Sequence, residues 1–337
     1  MSTPATKRLI KKLAIGLGIA ALALAAAVFA TRFQRDELAI RLWALRKQIK
    51  TGWIGHPALV HLKMMSEQTL FIPKCHNIQF YVKIIASDKF TKKKGNDSQL
   101  DVSVTDPFAP ENYKDIFIDS LSDTHALLYN KFHLVPYHVL IVTKQFVHQN
   151  TMLNEADFEA SLTVMKALEG FVFFNSGREA GASQDHKHLQ AIPYSSFPNQ
   201  YIPIGALIEK RMTEEKAPVT YFMLPEFQFK HVFYMFNPTV TKGLNDGTLK
   251  EKVKFLEAAY RGCLSKLGNE DLKIAYNMVL TKHWMFLVLR KTESTPDMIK
   301  INAVAFTGSF AVRSDEEYKH ILNHDPFNIL TQVSYPL

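Results

Sequence analysis

Apolar positions along this chain change their spacing from segment to segment, and each spacing predicts a different element. Residues 13–30 form an uncharged run of 18 residues rich in Leu and Ala, a length at the short end of what spans a membrane as a helix. Residues 36–50 then carry apolar side chains at helical spacing, with basic residues between them. The chain therefore begins with a predicted apolar helix and a predicted amphipathic helix.

The apolar run fits four roles. It can anchor the protein in a membrane, and the basic residues on both sides of it leave the orientation open. Val28-Phe-Ala30 resembles a cleavage site, so a cleaved signal peptide also fits, and the lack of acidic residues before Asp36 permits a transit peptide. A buried or interfacial helix is the fourth role. The amphipathic helix, with Trp43 and Trp53, either lies at a membrane surface or packs on the protein's own core.

Beyond residue 77 the pattern is typical of strands interrupted by helices. Alternating or continuous apolar runs predict strands at residues 78–84, 126–129, 139–142, 171–174, 276–280, 284–289 and 301–306. Asn154, with Asp157 three residues later, predicts the start of a helix that runs to Gly170. A second helix is predicted over residues 250–267, ended by Gly268.

Charge and cysteine content narrow the class of protein. Lys and Arg number 40 against 32 Asp and Glu, but residues 1–50 hold ten basic and two acidic residues, which leaves 30 of each for the rest. A basic body that binds nucleic acid is therefore excluded. Cys75 and Cys263 form no CxxC pair, which predicts reduced thiols and no cysteine-based zinc site. The 24 Phe are predicted to lie mainly in the core.

Candidate chemistry is concentrated in the ten residues from Gly181 to Gln190, Gly-Ala-Ser-Gln-Asp-His-Lys-His-Leu-Gln. On a strand, His186, His188 and Gln190 point to one face. Upstream, Asn175-Ser-Gly177 is a turn suited to backbone contact with phosphate. An imidazole beside such amides suits nucleophilic attack on phosphorus. The spacing alone also permits two structural histidines or a metal pair.

Several segments in this order resemble the ATP adenylyltransferase family, the diadenosine tetraphosphate (Ap4A) phosphorylases. They are residues 128–144 (LYNKFHLVPYHVLIVTK), 174–177 (FNSG), 183–190 (SQDHKHLQ), 276–285 (YNMVLTKHWM) and 301–309 (INAVAFTGS). This family belongs to the galactose-1-phosphate uridylyltransferase branch of the histidine-triad (HIT-like) superfamily. The resemblance covers roughly residues 70–320, and residues 1–65 do not resemble the family's usual N-terminus.

The resemblance implies an α+β fold. Two related antiparallel-sheet halves are expected, with helices packed on their outer faces, in addition to the N-terminal apolar helix. We expect an N-terminal extension over residues 1–65, a catalytic half over residues 66–200, and a C-terminal half over residues 201–337 that completes the nucleotide pocket without a triplet of its own.

The resemblance also implies the roles of the motif. His188 would be the nucleophile that attacks the α-phosphorus of a dinucleoside polyphosphate, expels ATP and holds AMP until phosphate takes it as ADP. A backbone carbonyl or His186 would hold the tautomer of His188. His186 would act in support, with zinc ligation left open. Gln190 would donate its amide to the phosphoryl group, as Ser183 and Gln184 also can.

Further residues match nucleotide contacts of the family. They are Lys93 (or Lys92), Asn130, Lys131, Asn175, Gly181, Ala182, Ser183, Gln184, Gln190, Asn302, Ala303, Val304, Ser309 and Arg313. Ser309 and Arg313 depart from the family, which tends to have Met and Lys there, and Arg replaces a point donor by a planar fork. Asn130 and Lys131 also fit an ordinary turn. Three other histidines, His133, His138 and His148, are predicted to be surface or loop residues without a role.

The leading function implied is reversible phosphorolysis of Ap4A, with a divalent cation, Mg²⁺, entering with the nucleotide and with no covalently bound cofactor or resident metal. The expected partners are small nucleotides, a membrane through residues 13–30, and no nucleic acid; the expected location is cytoplasmic. Three alternatives stay open: a GDP-hexose type phosphorylase, a membrane-tethered nucleotide-binding protein without turnover, and a hydrolase.

Overall fold

A computed structural model describes residues 39, 41–54, 69–72, 75, 78–84, 106–214, 220–236 and 248–337. The apolar run at residues 13–30 and the predicted phosphate-binding Lys93 lie outside these residues, so both stay predictions. No helix in the described ranges is long and apolar enough to cross a membrane. Two compact units comprise residues 1–48 and residues 49–337.

The predicted amphipathic helix corresponds to α1, residues 41–53. In the first unit its Trp43 is 63% exposed. In the second unit Trp53 packs its ring against His133, with ring centres 4.4 Å apart, and against Tyr129 and Tyr137. Trp53 therefore packs on the protein's own core, which was one of the two alternatives for this helix.

A nine-stranded antiparallel sheet forms the framework of the second unit. Its strands are β3 (Phe117–Ser120), β4 (His125–Tyr129), β5 (Val139–Thr143), β6 (Gly170–Asn175), β7 (His188–Pro193), β8 (Tyr221–Phe222), β9 (His231–Met235), β10 (Tyr276–Leu280) and β11 (Trp284–Leu289). They are ordered β3-β4-β5-β7-β6-β10-β11-β9-β8. The predicted strands at residues 126–129, 139–142, 171–174, 276–280 and 284–289 all lie within it.

The order of the strands contains one pattern twice. β4-β5-β7-β6 of the first half is mirrored by β8-β9-β11-β10 of the second, and the halves join where β6 pairs with β10, Asn175 opposite Asn277. In each half a strand pair is followed by a long helix and another strand pair. The two predicted related halves therefore share one continuous sheet.

The two long helices lie close to their predicted bounds, but the first ends at Leu168, before the predicted Gly170, with Glu169 in the left-handed conformation and Gly170 already in β6. In α2 (Glu155–Leu168), Asn154 and Asp157 form a reciprocal capping box. The remaining helices are α3 (Gly205–Glu214), α4 (Leu249–Leu267), α5 (Asp315–Asn323) and α6 (Pro326–Gln332). α4 is ended by Gly268, whose φ of +67° is the left-handed conformation that glycine tolerates. α2 packs on β6 and β7, α4 packs on β9 and β11, and the two helices contact each other.

The opposite face of the large sheet is covered by an apolar cluster rich in phenylalanine. β1 (Thr69–Phe71), β2 (Tyr81–Ile84) and β12 (Ser309–Val312) form a small sheet, and side chains of β2 and β12 contribute to this cluster. The strand predicted at residues 301–306 is wrong. There the side chain of Asn302 accepts from the Val304 amide, a local bond that competes with strand pairing, and Ala305–Thr307 is a 3-10 turn. The strand starts only after Gly308.

Candidate active site

The motif lies at the centre of the large sheet, at the start of β7. His188 opens the strand and Gln190 follows on the same face, while His186 precedes it. The ring of Phe108 lies 5.0 Å from the ring of His188 and 6.0 Å from that of His186. Both histidines therefore lie on one side of the strand, as the spacing of two predicts.

His188 has the geometry of a nucleophile. Its Nδ1 donates to the backbone carbonyl of His186 at 2.9 Å. No described residue is a hydrogen-bond partner of its Nε2. Burial lowers the pKa of His188 to about 4, and only 3% of the residue is exposed. The ring is thus neutral near pH 7, in the tautomer that keeps the Nε2 lone pair free, as the motif predicts.

His186 is locked in place at both ring nitrogens. Its Nδ1 lies 2.6 Å from the carboxylate of Asp106, and its Nε2 lies 2.7 Å from the carbonyl oxygen and 3.0 Å from the hydroxyl oxygen of Thr143. Asp106 is itself held by the Phe108 amide. The sequence indicates only a stiff turn at this point. The backbone carbonyl that accepts from His188 Nδ1 belongs to His186, so the contacts that hold His186 also hold this carbonyl.

Both ring nitrogens of His186 thus lie within hydrogen-bond distance of other groups, and zinc ligation by this residue stays a prediction. In the described ranges no group of three or more His, Cys, Asp or Glu side chains is arranged to hold a metal ion.

Gln149 clamps the backbone of the motif, and nothing in the sequence singles it out. Its Oε1 accepts from the amide of His188 at 2.8 Å, and its Nε2 donates to the carbonyl of Asn175 at 2.7 Å and to that of His188 at 3.1 Å. The β6–β7 pairing ends at Phe173 and Gln190. The carboxamide of Gln149 thus replaces ladder bonds where the two strands separate, and it is 1% exposed.

The side chain between the two histidines points the other way. Lys187 donates to the carboxylate of Asp157 at 2.6 Å, and both are 1% exposed. His125 contacts the other carboxylate oxygen at 3.1 Å. Burial opposes ionisation of Asp157, but the bond from His125 and the charge of Lys187 outweigh it and lower the pKa of Asp157. This buried group ties the N-terminus of α2 to the catalytic strand.

The pattern predicts His133 and His138 to be surface or loop residues; both lie in the loop between β4 and β5, but neither is at the surface. They are 6% and 5% exposed. The ring of His133 is covered by Trp53, and that of His138 by Phe173 at 5.9 Å. Neighbours distant in sequence bury them, so the local pattern gives no sign of it. His148 is exposed on a loop, as predicted, and its backbone bridges to that of His186.

Several predicted nucleotide contacts line common cavities. One of about 200 Å³ is lined by Gly181, Ser183, Asn302 and Arg313, among others. Gly181 has φ +88°, and a Cβ there would lie 2.9 Å from the Ile301 carbonyl, so this position requires glycine.

Ala182 and Gln184 line a second cavity of about 350 Å³ beside Ser176 and Gly177. A larger cavity of about 500 Å³, lined by residues such as Tyr194 and Trp284, contains none of the predicted site residues.

Two of the predicted nucleotide contacts, Asn175 and Ala303, are hydrogen-bonded to each other. Oδ1 of Asn175 accepts from the backbone amide of Ala303 at 3.0 Å and from the side chain of Asn277 at 2.8 Å. Asn277 in turn accepts from Arg290, a fully buried guanidinium that also donates to the Ile301 carbonyl. Burial lowers the pKa of Arg290 to about 9. This network joins the end of β6 to the segment that carries the C-terminal contacts.

The remaining predicted contacts are dispersed. Asn130 lies half-buried at the end of β4, and its Oδ1 accepts from the Phe132 amide, so the turn predicted as its alternative is present. Lys131 is exposed, Val304 is half-buried, and Ser309 is 9% exposed at the start of β12. Their contact with a nucleotide stays a prediction.

The large sheet consists of two related antiparallel halves, and one of them carries a His-x-His-x-Gln strand. This arrangement is consistent with the HIT-like class. The Ap4A phosphorylase N-terminal domain model matches residues 41–210, and the ATP adenylyltransferase C-terminal domain model matches residues 225–336. The chain therefore belongs to the Ap4A phosphorylase family, as its motifs predict.

Relatives and solved structures agree with this assignment. Diadenosine 5',5'''-P1,P4-tetraphosphate phosphorylase 2 of Saccharomyces cerevisiae is 25% identical, covering 87% of this chain and 95% of the relative. Protein APA1 of the same yeast is 27% identical, covering 63% and 69%. The crystal structure of yeast Ap4A phosphorylase Apa2 in complex with Ap4A has a TM-score of 0.68 at 21% identity, covering 87% and 98% of the two chains. The complex with AMP has a TM-score of 0.65 at 24% identity, covering 87% and 96%. These structures share the fold of this chain.

Proposed function

We propose that this protein is a nucleotidyltransferase that phosphorolyses Ap4A reversibly to ADP and ATP, with His188 as a covalent nucleophile. Membership of the Ap4A phosphorylase family supports the activity. One observation carries the mechanism. The His188 ring is neutral and buried, its Nδ1 is bound to the His186 carbonyl, and its Nε2 has no partner in the described part of the chain.

In the first displacement, the Nε2 lone pair of His188 attacks the α-phosphorus of Ap4A. A P–N bond forms, the bond to the bridging oxygen breaks, and the electron pair leaves with ATP. The carbonyl of His186 receives the Nδ1 proton in a hydrogen bond and stabilises the positive charge that develops on the ring. Asp106 and Thr143 hold His186 so that this carbonyl does not move.

In the second displacement, an oxygen of inorganic phosphate attacks the same phosphorus. The P–N bond breaks, the electron pair returns to Nε2, and AMP leaves joined to phosphate as ADP. The adenylylated histidine conserves the energy of the anhydride bond, so both steps reverse readily. In this buried site, phosphate reacts in preference to water only if it is held in place. We assign that task to the predicted contacts around Gly181 and Arg313.

Negative charge on the transferred group needs donors. Gln190 is placed on the same face as His188 and supplies an amide, while Ser183 and Arg313 line the cavity of about 200 Å³. Mg²⁺ enters as the complex of the polyphosphate substrate. Bound to the polyphosphate, it would supply positive charge to the phosphates of the leaving group.

The decisive experiment incubates the full chain with Ap4A and Mg²⁺, with and without phosphate, and resolves the products by ion-exchange chromatography. ADP and ATP that form only with phosphate support the proposal. AMP that forms without phosphate identifies a hydrolase, and no product from folded protein refutes both. GDP-hexose with phosphate, run in parallel, tests the sugar-nucleotide alternative.

The His188→Gly variant tests the nucleophile. Turnover and the acid-labile label from radioactive Ap4A should both disappear. His324→Gly, which makes the same change at an exposed position, should keep both. A His188→Gly variant with wild-type turnover would contradict the assignment.

Attachment to the cytoplasmic side of a membrane through residues 13–30 belongs to this proposal, supported by the apolar run and by the free thiols. Fractionation of full-length protein and of a chain that starts at residue 31 tests it. Full-length protein that does not sediment with membranes refutes the attachment.

A further inference from the structure

A chain of side-chain hydrogen bonds runs behind Gln190. The Nδ2 group of Asn130 lies 3.3 Å from the ring of His138, and His138 Nε2 lies 2.9 Å from Gln190 Oε1. His138 is buried beside Phe173, which contacts its ring. Neither the motif nor the family resemblance assigns a role to His138.

The direction of each bond in this chain follows from its two ends. Oδ1 of Asn130 already accepts from the Phe132 amide at 2.8 Å, so the NH₂ group of Asn130 is the end that faces His138. That NH₂ group lies 3.3 Å from both ring nitrogens, Nδ1 and Nε2, so it does not by itself fix the tautomer of His138. The other end of the chain does: Nε2 lies 2.9 Å from Gln190 Oε1, an oxygen that can only accept, so the single N–H of the neutral ring is on Nε2.

The Nε2–H of His138 thus donates to the carboxamide oxygen of Gln190. The NH₂ group of Gln190 is thereby turned away from His138. Burial lowers the pKa of His138 to about 3, which keeps the ring neutral and the order of the bonds unchanged across the neutral range. A free carboxamide would instead present its oxygen half of the time, and an oxygen repels a phosphoryl group.

We propose that His138 is a positioning residue for nucleotidyl transfer, because it fixes the Gln190 carboxamide with its NH₂ group toward the transferred phosphoryl group in both displacements. The kinetic consequence of this inference rests on the proposed function, whereas the tautomer of His138 does not depend on it. His138 itself does not contact the reacting atoms. Asn130, expected to contact nucleotide, also places its NH₂ group against the ring of His138.

The test compares two substitutions in the full-length protein. His138→Phe keeps an aromatic ring for Phe173 but removes the donor, and His138→Gln places an amide donor near the position of Nε2. Loss of one hydrogen bond to a charged transition state corresponds to about a 10- to 100-fold decrease. We expect that decrease in kcat for His138→Phe, a KM for Ap4A within about twofold of wild type, and recovery of most of kcat in His138→Gln.

A role in packing alone predicts a different result. The Gln variant, which loses the ring, would then be as impaired as the Phe variant or more so. Such a result, or an unchanged kcat in His138→Phe, overturns the proposal. His283→Phe, at an exposed turn, is the matched control and should retain wild-type kinetics.

A second measurement separates this inference from the proposed function. In protein labelled with ¹⁵N-histidine, the nitrogen shifts of His138 should show the Nε2–H tautomer at pH 7, whether or not Ap4A is a substrate. The Nδ1–H tautomer or a cationic ring overturns the proposal even if the enzyme is active. Wild-type protein that lacks turnover but shows the Nε2–H tautomer refutes the substrate and leaves the orientation of Gln190 established. If His138→Phe fails to fold, the Gln variant and the tautomer decide.

Discussion

Replacement of Gln149 by methionine should weaken both the fold and the reaction, because this carboxamide holds the backbone of the nucleophile. Methionine has nearly the same length and volume but cannot form the hydrogen bonds. The amide of His188 and the carbonyl of Asn175 lose partners at 2.8 Å and 2.7 Å in a region that water does not reach.

The size of the effect follows from those two groups. A buried backbone group left without a partner costs about 1–3 kcal/mol, so the free energy of unfolding should fall by about 2–6 kcal/mol in total. For a protein of this size each kcal/mol lowers the melting temperature by about 2–3 °C, so a decrease of about 10 °C is expected near the middle of the range. If the His188 backbone moves by about 1 Å, kcat for Ap4A should fall up to about 100-fold.

Urea and thermal unfolding followed by circular dichroism, together with Ap4A phosphorolysis, measure the two effects. Gln228→Met makes the same chemical change at an exposed position, where the side chain bonds only the Pro225 carbonyl, and should change neither. If Gln149→Met melts within about 2 °C of wild type and turns over normally, the clamp contributes little and the reasoning is wrong.

Three further predictions concern the buried polar groups. Asp106→Asn should keep the fold but lower kcat about tenfold, because a neutral amide orients the ring of His186 less firmly than a carboxylate does. Lys187→Met should destabilise the protein by about 3 kcal/mol, since the buried carboxylate of Asp157 loses its cation. Stability should fall between about pH 6.5 and pH 4, because burial lowers the pKa of His188 and of His231 to about 4, and the unfolded chain, with pKa values near 6.5, binds the extra protons there.

Each of these predictions has its own check. If Asp106→Asn phosphorolyses Ap4A at the wild-type rate, the carboxylate of Asp106 has no part in the mechanism. The urea midpoint tests Lys187→Met, and adding Asp157→Asn should recover part of the loss, whereas a further decrease would contradict a charge effect. For the histidines, the slope of stability with pH is at most about 1.4 kcal/mol per pH unit for each one. A flat profile from pH 7 to pH 5 would show that they are not held neutral.

Where local chemistry decides the structure, the sequence is informative. The capping box of Asn154 and Asp157 and the stop at Gly268 are confirmed, since caps need only residues within one turn. The motif spacing correctly places His186 and His188 on one side, because the period of a strand is two. The strand predicted at residues 301–306 fails for the opposite reason: an alternating run cannot show that Asn302 bonds its own backbone.

The sequence by itself determined the family and several strands of the large sheet, and it singled out His188 as the candidate nucleophile. Only the tertiary structure decided how that histidine is held. Asp106 lies 80 residues before His186, and Gln149 lies 39 residues before His188. These partners meet only when separate strands and loops of one sheet come together. A hydrogen bond depends on distance and direction in space, and neither is encoded in the spacing of residues along the chain. His138, a loop residue in the pattern, became a buried link to Gln190 for the same reason.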